Sequence, residues 1–571
     1  MGKSYTSIKL NSDRYKEKFR NLIKRTGINI SIKIKSVKPK KSGQTKKVVV
    51  YHAMTAYHFL ECVVDKMKNN KKSTGIFLIS KYVSTIYPEY KDLLRKEIFD
   101  YILIYDIREL LDANSISSCE QKIIKYFDEL FYKTNIAIEE CSEIHIMGAH
   151  HGFGSYVCMK NKPFFFYEEA AGLLSNFSGI TGYEKQRNPI NYSVTKSFGL
   201  FNGDNDLIIE KRCVLDSQVP DFIDEKARNY EVVSEISNLS KQDTNYLIDF
   251  FNAPKNIPFS ENNLLVLGQQ LFHNGVHLNN ADTILTYQLL IDYYSKKQKI
   301  IFKPHPADKS EYENYFDNLF VIRTKFPSEL LPFLPGANYQ EAITINSTAI
   351  NNLKNHVDNI RSIGYYFMDF KSIIHRCCAA FEIIKMFRVA NTKLFHFGIN
   401  NEQIINFAGS YTESNDYMSR WLPINSIPNN SISIINNIDW DKGDSGKHLL
   451  NSMRKMDDTG MLIFINQNND YCFFDINDIE SMNYIVPVVI SKKKLKSNTL
   501  AKINDEVIYV FCKSEEKRKR IQEMYFEKTL GQTGIKIMVS PISDEKLEYR
   551  KLEARIGANE FKLRELLKND N

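Results

Sequence analysis

Three short pieces of this chain, each at the end of an apolar run, carry residues able to do chemistry together. Tyr167-Glu168-Glu169-Ala170-Ala171-Gly172 follows Pro163-Phe164-Phe165-Phe166. Lys303-Pro304-His305-Pro306 follows Ile300-Ile301-Phe302, and Asn346-Ser347-Thr348 follows Ala342-Ile343-Thr344-Ile345. A carboxylate can deprotonate a hydroxyl, and its aptness rises when partial burial lifts its pKa toward working pH. A histidine held between two prolines is a stiffly placed donor, since proline fixes φ and removes N–H groups. Such a donor can stabilise a departing phosphate, with Lys303 adding positive charge. Ser347 and Thr348 can hold the same phosphate, or cap the helix expected over 349–354. A base, a leaving-group donor and a phosphate cradle are the parts of an inverting glycosyl transfer.

Those parts need a frame that brings them to one place. In open α/β sheets, ligands bind outside the carboxyl ends of the strands, where all three pieces are expected. Strand-length runs rich in β-branched residues alternate with helix-length segments from residue 47 onward, which predicts βαβ units and parallel sheets. The first series has strands at 48–51, 75–79, 101–104, 144–147 and 163–167, with helices over 53–68 and 118–134. The second has strands at 264–267, 299–302, 319–322, 342–345 and 362–366, with a helix over 281–296. Residues 225–258 read as a polar linker. The expected organisation is a basic arm over 1–46, Rossmann-like units over 47–258 and 259–397, and an α+β unit over 398–571 with charged helices at 514–527 and 544–568.

Other residues at strand ends add weaker signals. Gly148-Ala149-His150-His151-Gly152 follows a strand, and its His pair could touch an acceptor. Gly172 allows close approach to a ligand. Gly268 and Gln269 follow the first strand of the second unit and could line a nucleotide pocket. If 164–167 is a strand, Glu168 and Glu169 point to opposite faces; Glu168 is favoured as the base because the turn would aim it outward. No D-x-D element stands where a metal-dependent transferase needs one, so no catalytic metal is expected.

The 571 residues are 43% hydrophobic and 25% charged, the balance of an ordinary globular chain. Nine scattered cysteines without a C-x-x-C pair argue against a disulfide framework or a structural zinc site. The net charge of +8 is local: residues 1–47 carry +13, leaving −5 over the other 524. That arm fits an anionic membrane surface or an acidic polymer rather than nucleic acid, which calls for basic and aromatic residues spread over a folded face. Met1-Gly2-Lys3-Ser4-Tyr5 leads into charged sequence without an apolar core, so a cytoplasmic location is expected, with peripheral contact at the inner membrane face.

At the Glu-Glu, His-Pro and Ser-Thr pieces the chain resembles the bacterial sialyltransferases that carry a D/E-D/E-G motif, an HP motif and a Ser/Thr motif. Among these it is most similar to the capsular polysialyltransferase type. The resemblance covers about residues 46–390, with Glu168-Glu169, His305-Pro306 and Ser347-Thr348 in the family's order. Ala170 stands where the first motif has glycine, with Gly172 two positions later. The resemblance implies a GT-B fold and metal-independent, inverting transfer of sialic acid, or a related nonulosonate, from its CMP donor. It implies Glu168 or Glu169 as base, His305 assisting CMP departure, and Ser347 and Thr348 on its phosphate. The acceptor would be a bacterial surface glycan such as capsule or lipooligosaccharide. Transfer from CDP-glycerol or another CMP-keto acid, and a non-catalytic carbohydrate-binding role in capsule assembly, are the alternatives.

Overall fold

The computed structural model describes residues 46–106, 108–111, 113–271, 280–295, 298–316, 319–364, 366–387, 394–397, 402–412, 420–421, 426–435, 451–465, 485–494, 506–530 and 535–541, with 552, 556 and 559. The basic arm up to residue 45, the Asn-rich pairs 400–401 and 436–437, and nearly all of the helix expected over 544–568 lie outside the described residues. So do some side chains within the described helices.

The first sheet is wholly parallel, in the order β3-β2-β1-β4-β5-β6-β7. Its strands are β1 Val48–Ala53, β2 Thr74–Ser80, β3 Tyr101–Tyr105, β4 Glu143–Met147, β5 Phe164–Tyr167, β6 Ile208–Cys213 and β7 Ala227–Asn229. Both faces of a parallel sheet are covered, so its strands read as continuous apolar runs; Val49 to Ala53 are all buried. Chain order reverses between β1 and β4, which opens a crevice at their carboxyl ends. Helix α1 (Ala56–Lys68) starts there, its first turn held by Thr55 Oγ1 accepting from His58 N at 3.2 Å.

Strands β6 and β7 were not among the expected elements. β6 contains Glu210-Lys211-Arg212, a charged run that hides a buried strand. Lys211 pairs with Asp224, and Arg212 Nη1 lies 2.9 Å from Asp65 Oδ1 on α1. Those partners let charges enter the sheet. The linker expected over 225–258 is instead ordered packing. It supplies β7 and helices α2 (Val232–Ser237) and α3 (Lys241–Phe250), which bury Val232, Val233, Ile236, Leu247 and Phe250.

The second sheet is also parallel, β10-β9-β8-β11-β12, with its reversal between β8 and β11. It comprises β8 Asn263–Leu267, β9 Lys299–Lys303, β10 Leu319–Val321, β11 Glu341–Thr344 and β12 Asn359–Ser362. The last strand lies upstream of the expected 362–366, and Gly364 follows it at φ 78°. Alternation along β8 assigns its two faces. Leu265 and Leu267 join Val49, Tyr51 and Phe77 in a core shared with the first unit. Leu264 and Val266 join a second core with helices α4 (Asn280–Tyr294) and α5 (Tyr366–Phe387).

That second core continues into a mixed sheet with eight strands among the described residues, lying between Leu394 and Pro541. The strand Leu394–Phe397 belongs there, so the change of unit falls at α5 rather than at residue 398. The helix expected over 514–527 spans Glu515–Gln522 and gives way to a strand at Phe526–Leu530. No helix among the described residues is long and apolar enough to cross a membrane.

Candidate functional site

Turns at the carboxyl ends of β4 and β5 build the first half of the site. Gly148 leaves β4 at φ 70°, and a Cβ there would fall 2.6 Å from Glu169 Oε2 and 3.0 Å from His58 Cε1. The missing side chain is what lets His150, His151, His58 and Glu169 crowd together. Glu169 Oε2 lies 3.6 Å from His58 Nε2 and 3.7 Å from His150 Nδ1, while Oε1 lies 3.8 Å from His151 Nε2. His58 Nε2 donates to the Glu169 backbone carbonyl at 2.9 Å and so fixes the turn.

Glu168 points elsewhere. The turn does not aim it outward: it is only 2% exposed. Its Oε1 accepts from Val214 N at 2.6 Å, and its Oε2 accepts from Gly172 N at 3.0 Å, Leu174 N at 3.4 Å and Gln218 Nε2 at 2.8 Å. It still borders a pocket with Glu169, His150, Leu173 and Phe201. Burial pushes its pKa up to about 7, against the lowering effect of those donors. Burial also acts to raise Glu169, but His58, His150 and His151 outweigh it and hold that carboxyl below its ordinary range. Burial, with His151 beside it, drives His150 down to about 3, and burial lowers His58.

The second half lies at the carboxyl ends of β8, β9 and β11. Gly268 N donates to Lys303 O at 2.8 Å, and a Cβ on Gly268 would press on Pro304 Cα at 3.1 Å. Lys303 does not face a ligand as expected. Its ammonium is buried 4.4 Å from the centre of the Phe326 ring, and burial pushes its pKa down to about 8. Strand alternation explains this, since the last residue of β9 turns toward the shared core. His305 is half-buried, beside the partly exposed Pro306. Its Nδ1 accepts from Ala307 N at 3.2 Å, so the neutral ring carries its proton on Nε2. Burial, then Lys303, lowers its pKa.

Ser347 stands at the N-cap of a six-residue 3₁₀ turn, Thr348–Leu353, rather than of an α-helix, and its side chain makes no capping bond. Thr344, which the sequence did not single out, shapes the loop instead. Its Oγ1 donates to Leu267 O at 2.8 Å and accepts from Ser347 N at 3.0 Å. Gln269 Nε2 reaches Asn346 O at 3.2 Å, and Gln270 Nε2 reaches Ala307 O at 3.5 Å. One element end therefore ties both ligand loops of the second unit together.

The halves meet. Asn351 Nδ2, in the turn after Ser347-Thr348, donates to Ala171 O at 3.3 Å, two residues past Glu169. Gly172 sits at φ 87°, and a Cβ there would press on Ser217 O at 3.0 Å. Lys354 lies 3.8 Å from Asp216, and Asn355 Nδ2 donates to Glu231 at 3.1 Å. The Glu-Glu loop and the Ser-Thr turn thus face each other, with Gly268, Gln269 and the His305 loop beside the latter.

A model of glycosyltransferase family 52, a bacterial sialyltransferase family, matches residues 188–363. The matched stretch contains His305-Pro306 and Ser347-Thr348. An uncharacterized protein of Haemophilus influenzae is 26% identical over 220 residues, 38% of this chain and 67% of its own length. Among solved structures, the α/β-galactoside α-2,3-sialyltransferase of Photobacterium phosphoreum aligns at 15% identity over 56% of this chain and 91% of its own, with TM-score 0.35. A putative UDP-N-acetylglucosamine 2-epimerase from Listeria monocytogenes aligns at 9% identity over 65% and 90%, also at 0.35. With two parallel Rossmann-like sheets already described, the family match supports a sialyltransferase-like glycosyltransferase of GT-B architecture.

Proposed function

We propose that the chain transfers sialic acid, or a related nonulosonate, from its CMP donor to a glycan hydroxyl with inversion. The observation that carries this reading is the contact of Asn351 with Ala171, which sets the Glu-Glu loop opposite the Ser-Thr turn. Glu168 takes the acceptor proton; of the two carboxylates it is the one whose proton affinity lies near neutrality. The acceptor oxygen then bonds to the anomeric carbon while the bond from that carbon to the CMP phosphate oxygen breaks. His305 donates from Nε2 to the departing phosphate, which the Ser347 and Thr348 hydroxyls hold and beside which Gly268 and Gln269 lie. His150, His151 and Gly172 border the acceptor side. A capsule or lipooligosaccharide acceptor, itself anionic, would suit the basic residues 1–46.

The test is acceptor-dependent CMP release from CMP-sialic acid by wild type, His305→Ala and Glu168→Gln, with thermal melts to check folding. Folded variants should lose roughly 10²–10⁴-fold in kcat. Release from CDP- or UDP-activated donors, with none from CMP-nonulosonates, would refute the donor assignment.

A further inference from the structure

Glu169 is surrounded by more donors than its hydrogen bonds account for. The ligand-capable atoms of His150, His151 and Glu169 all lie within 4.8 Å of one another. His150 Nδ1 stands 3.7 Å from Glu169 Oε2 and His151 Nε2 3.8 Å from Glu169 Oε1, both too long for hydrogen bonds. Both fall within the roughly 4.2 Å that two donors about 2.1 Å from a shared ion can span. Because one pair runs through Oε2 and the other through Oε1, the carboxylate would hold the ion with both oxygens or turn to use one. Glu169 Oε2 is shielded from solvent and has no hydrogen-bond partner, a costly state for a carboxylate oxygen. The side chain of His150 is 8% exposed and that of His151 13%, so the ring nitrogens cannot simply turn to water. His58 is not a third imidazole ligand, because its Nε2 already donates to the Glu169 carbonyl; it orients the carboxylate's turn. Gly148 holds the group closed, since any side chain there would displace Glu169.

Two imidazoles and one carboxylate suit zinc and its neighbours rather than calcium or magnesium, which prefer all-oxygen surroundings. We propose that His150, His151 and Glu169 bind one divalent transition-metal ion of the zinc class. Three protein donors leave a fourth position for an oxygen ligand, beside the pocket that Leu173, Leu174, Ile180 and Phe201 help to line. On the transferase reading that ligand is an acceptor oxygen next to Glu168, but the binding of the ion does not depend on that reading. The site departs from the metal-free expectation that the absence of a D-x-D element suggests.

The experiment uses the full chain, stripped with chelator and titrated with Zn²⁺ or Co²⁺ alone, without any sugar. One zinc per chain is expected by equilibrium dialysis. Cobalt should give visible d–d bands without the near-ultraviolet thiolate band that binding to cysteine would produce. Glu169→Gln, which keeps the shape of the side chain, and His151→Ala should each weaken zinc binding by roughly 100-fold or more. His305→Ala should leave zinc binding unchanged. Absence of stoichiometric binding, a thiolate band, or full-strength binding in folded Glu169→Gln would overturn the site. Because no donor is present, none of these results bears on the CMP-sialic acid assay.

Discussion

At residue 148 a hydrogen in place of a methyl group decides whether four polar side chains can share one turn. Gly148→Ala must accommodate both φ 70° and a Cβ 2.6 Å from Glu169 Oε2. Strain of this kind costs about 1–3 kcal/mol, so urea unfolding should show a loss of that size. Zinc affinity should fall with it, as Glu169 is pushed away. His150, His151 and the Glu pair are legible in the sequence because each follows an apolar strand. His58 is not, since it lies 111 residues from Glu169 and only the fold brings it near. Lys303 misleads in the opposite way: beside His305 it reads as a phosphate ligand, but strand alternation turns it into the core.

At the scale of elements, the loops depend on the strands that launch them. Thr344 bridges β8 and the Ser347 loop with one hydroxyl, so Thr344→Val keeps the shape and removes both bonds. It should cost about 1–3 kcal/mol, because Leu267 O and Ser347 N are left unpaired. If Ser347 holds the donor phosphate, KM for the donor should rise more than kcat falls.

On β1, His52 gives a pH-dependent prediction. Its Nδ1 donates to Met147 O at 2.8 Å and its Nε2 accepts from the Tyr105 hydroxyl at 2.6 Å, so the folded ring is neutral. Burial, with a smaller contribution from His151, drives its pKa from 6.5 to about 3. Below pH 6.5 the unfolded chain binds a proton that the folded chain refuses, so stability falls as pH drops toward 3. The slope from this group is about 1.4 kcal/mol per pH unit. His52→Gln should lose about 2 kcal/mol less than wild type between pH 7 and pH 5, measured by urea unfolding at both.

Strands β1–β5 and β8–β11 were legible because each carries an apolar run, buried on both faces in β1, β2 and β8. β6 and β7 were not, because Lys211 and Arg212 are neutralised by Asp224 and Asp65. Those partners are set by tertiary contacts, which a local window cannot register.

Across the whole molecule, the two Rossmann-like units share a core rather than meeting at a polar seam. Leu265 and Leu267 of β8 pack in one cluster with Val49 and Tyr51 of β1 and with Leu247 of α3. Leu265→Ala should therefore cost about 2–5 kcal/mol and destabilise both units together. A probe in the first unit, such as hydrogen exchange of β1 amides, should report the loss as strongly as a probe in β11. Independent melting of the first unit at its wild-type midpoint would contradict this. The sequence read residues 225–258 as a tether, because α2 and α3 leave part of their surface to water and bury Val232, Val233, Ile236, Leu247 and Phe250 against partners distant in the chain.

The other face of the second sheet has a consequence for anyone wishing to work with less than the full chain. Leu264, Val266, Ile300, Phe302 and Ile343 are covered by a core that runs through α5 into Ile432, Ile434, Met461 and Ile463. The stretch resembling family 52 stops at residue 363, three residues before α5 begins. A fragment cut there would carry His305 and Ser347-Thr348 but expose an oily sheet to solvent, and on expression a larger share of it should precipitate than of the full chain. The place where the family match ends is not a place at which this protein can be divided.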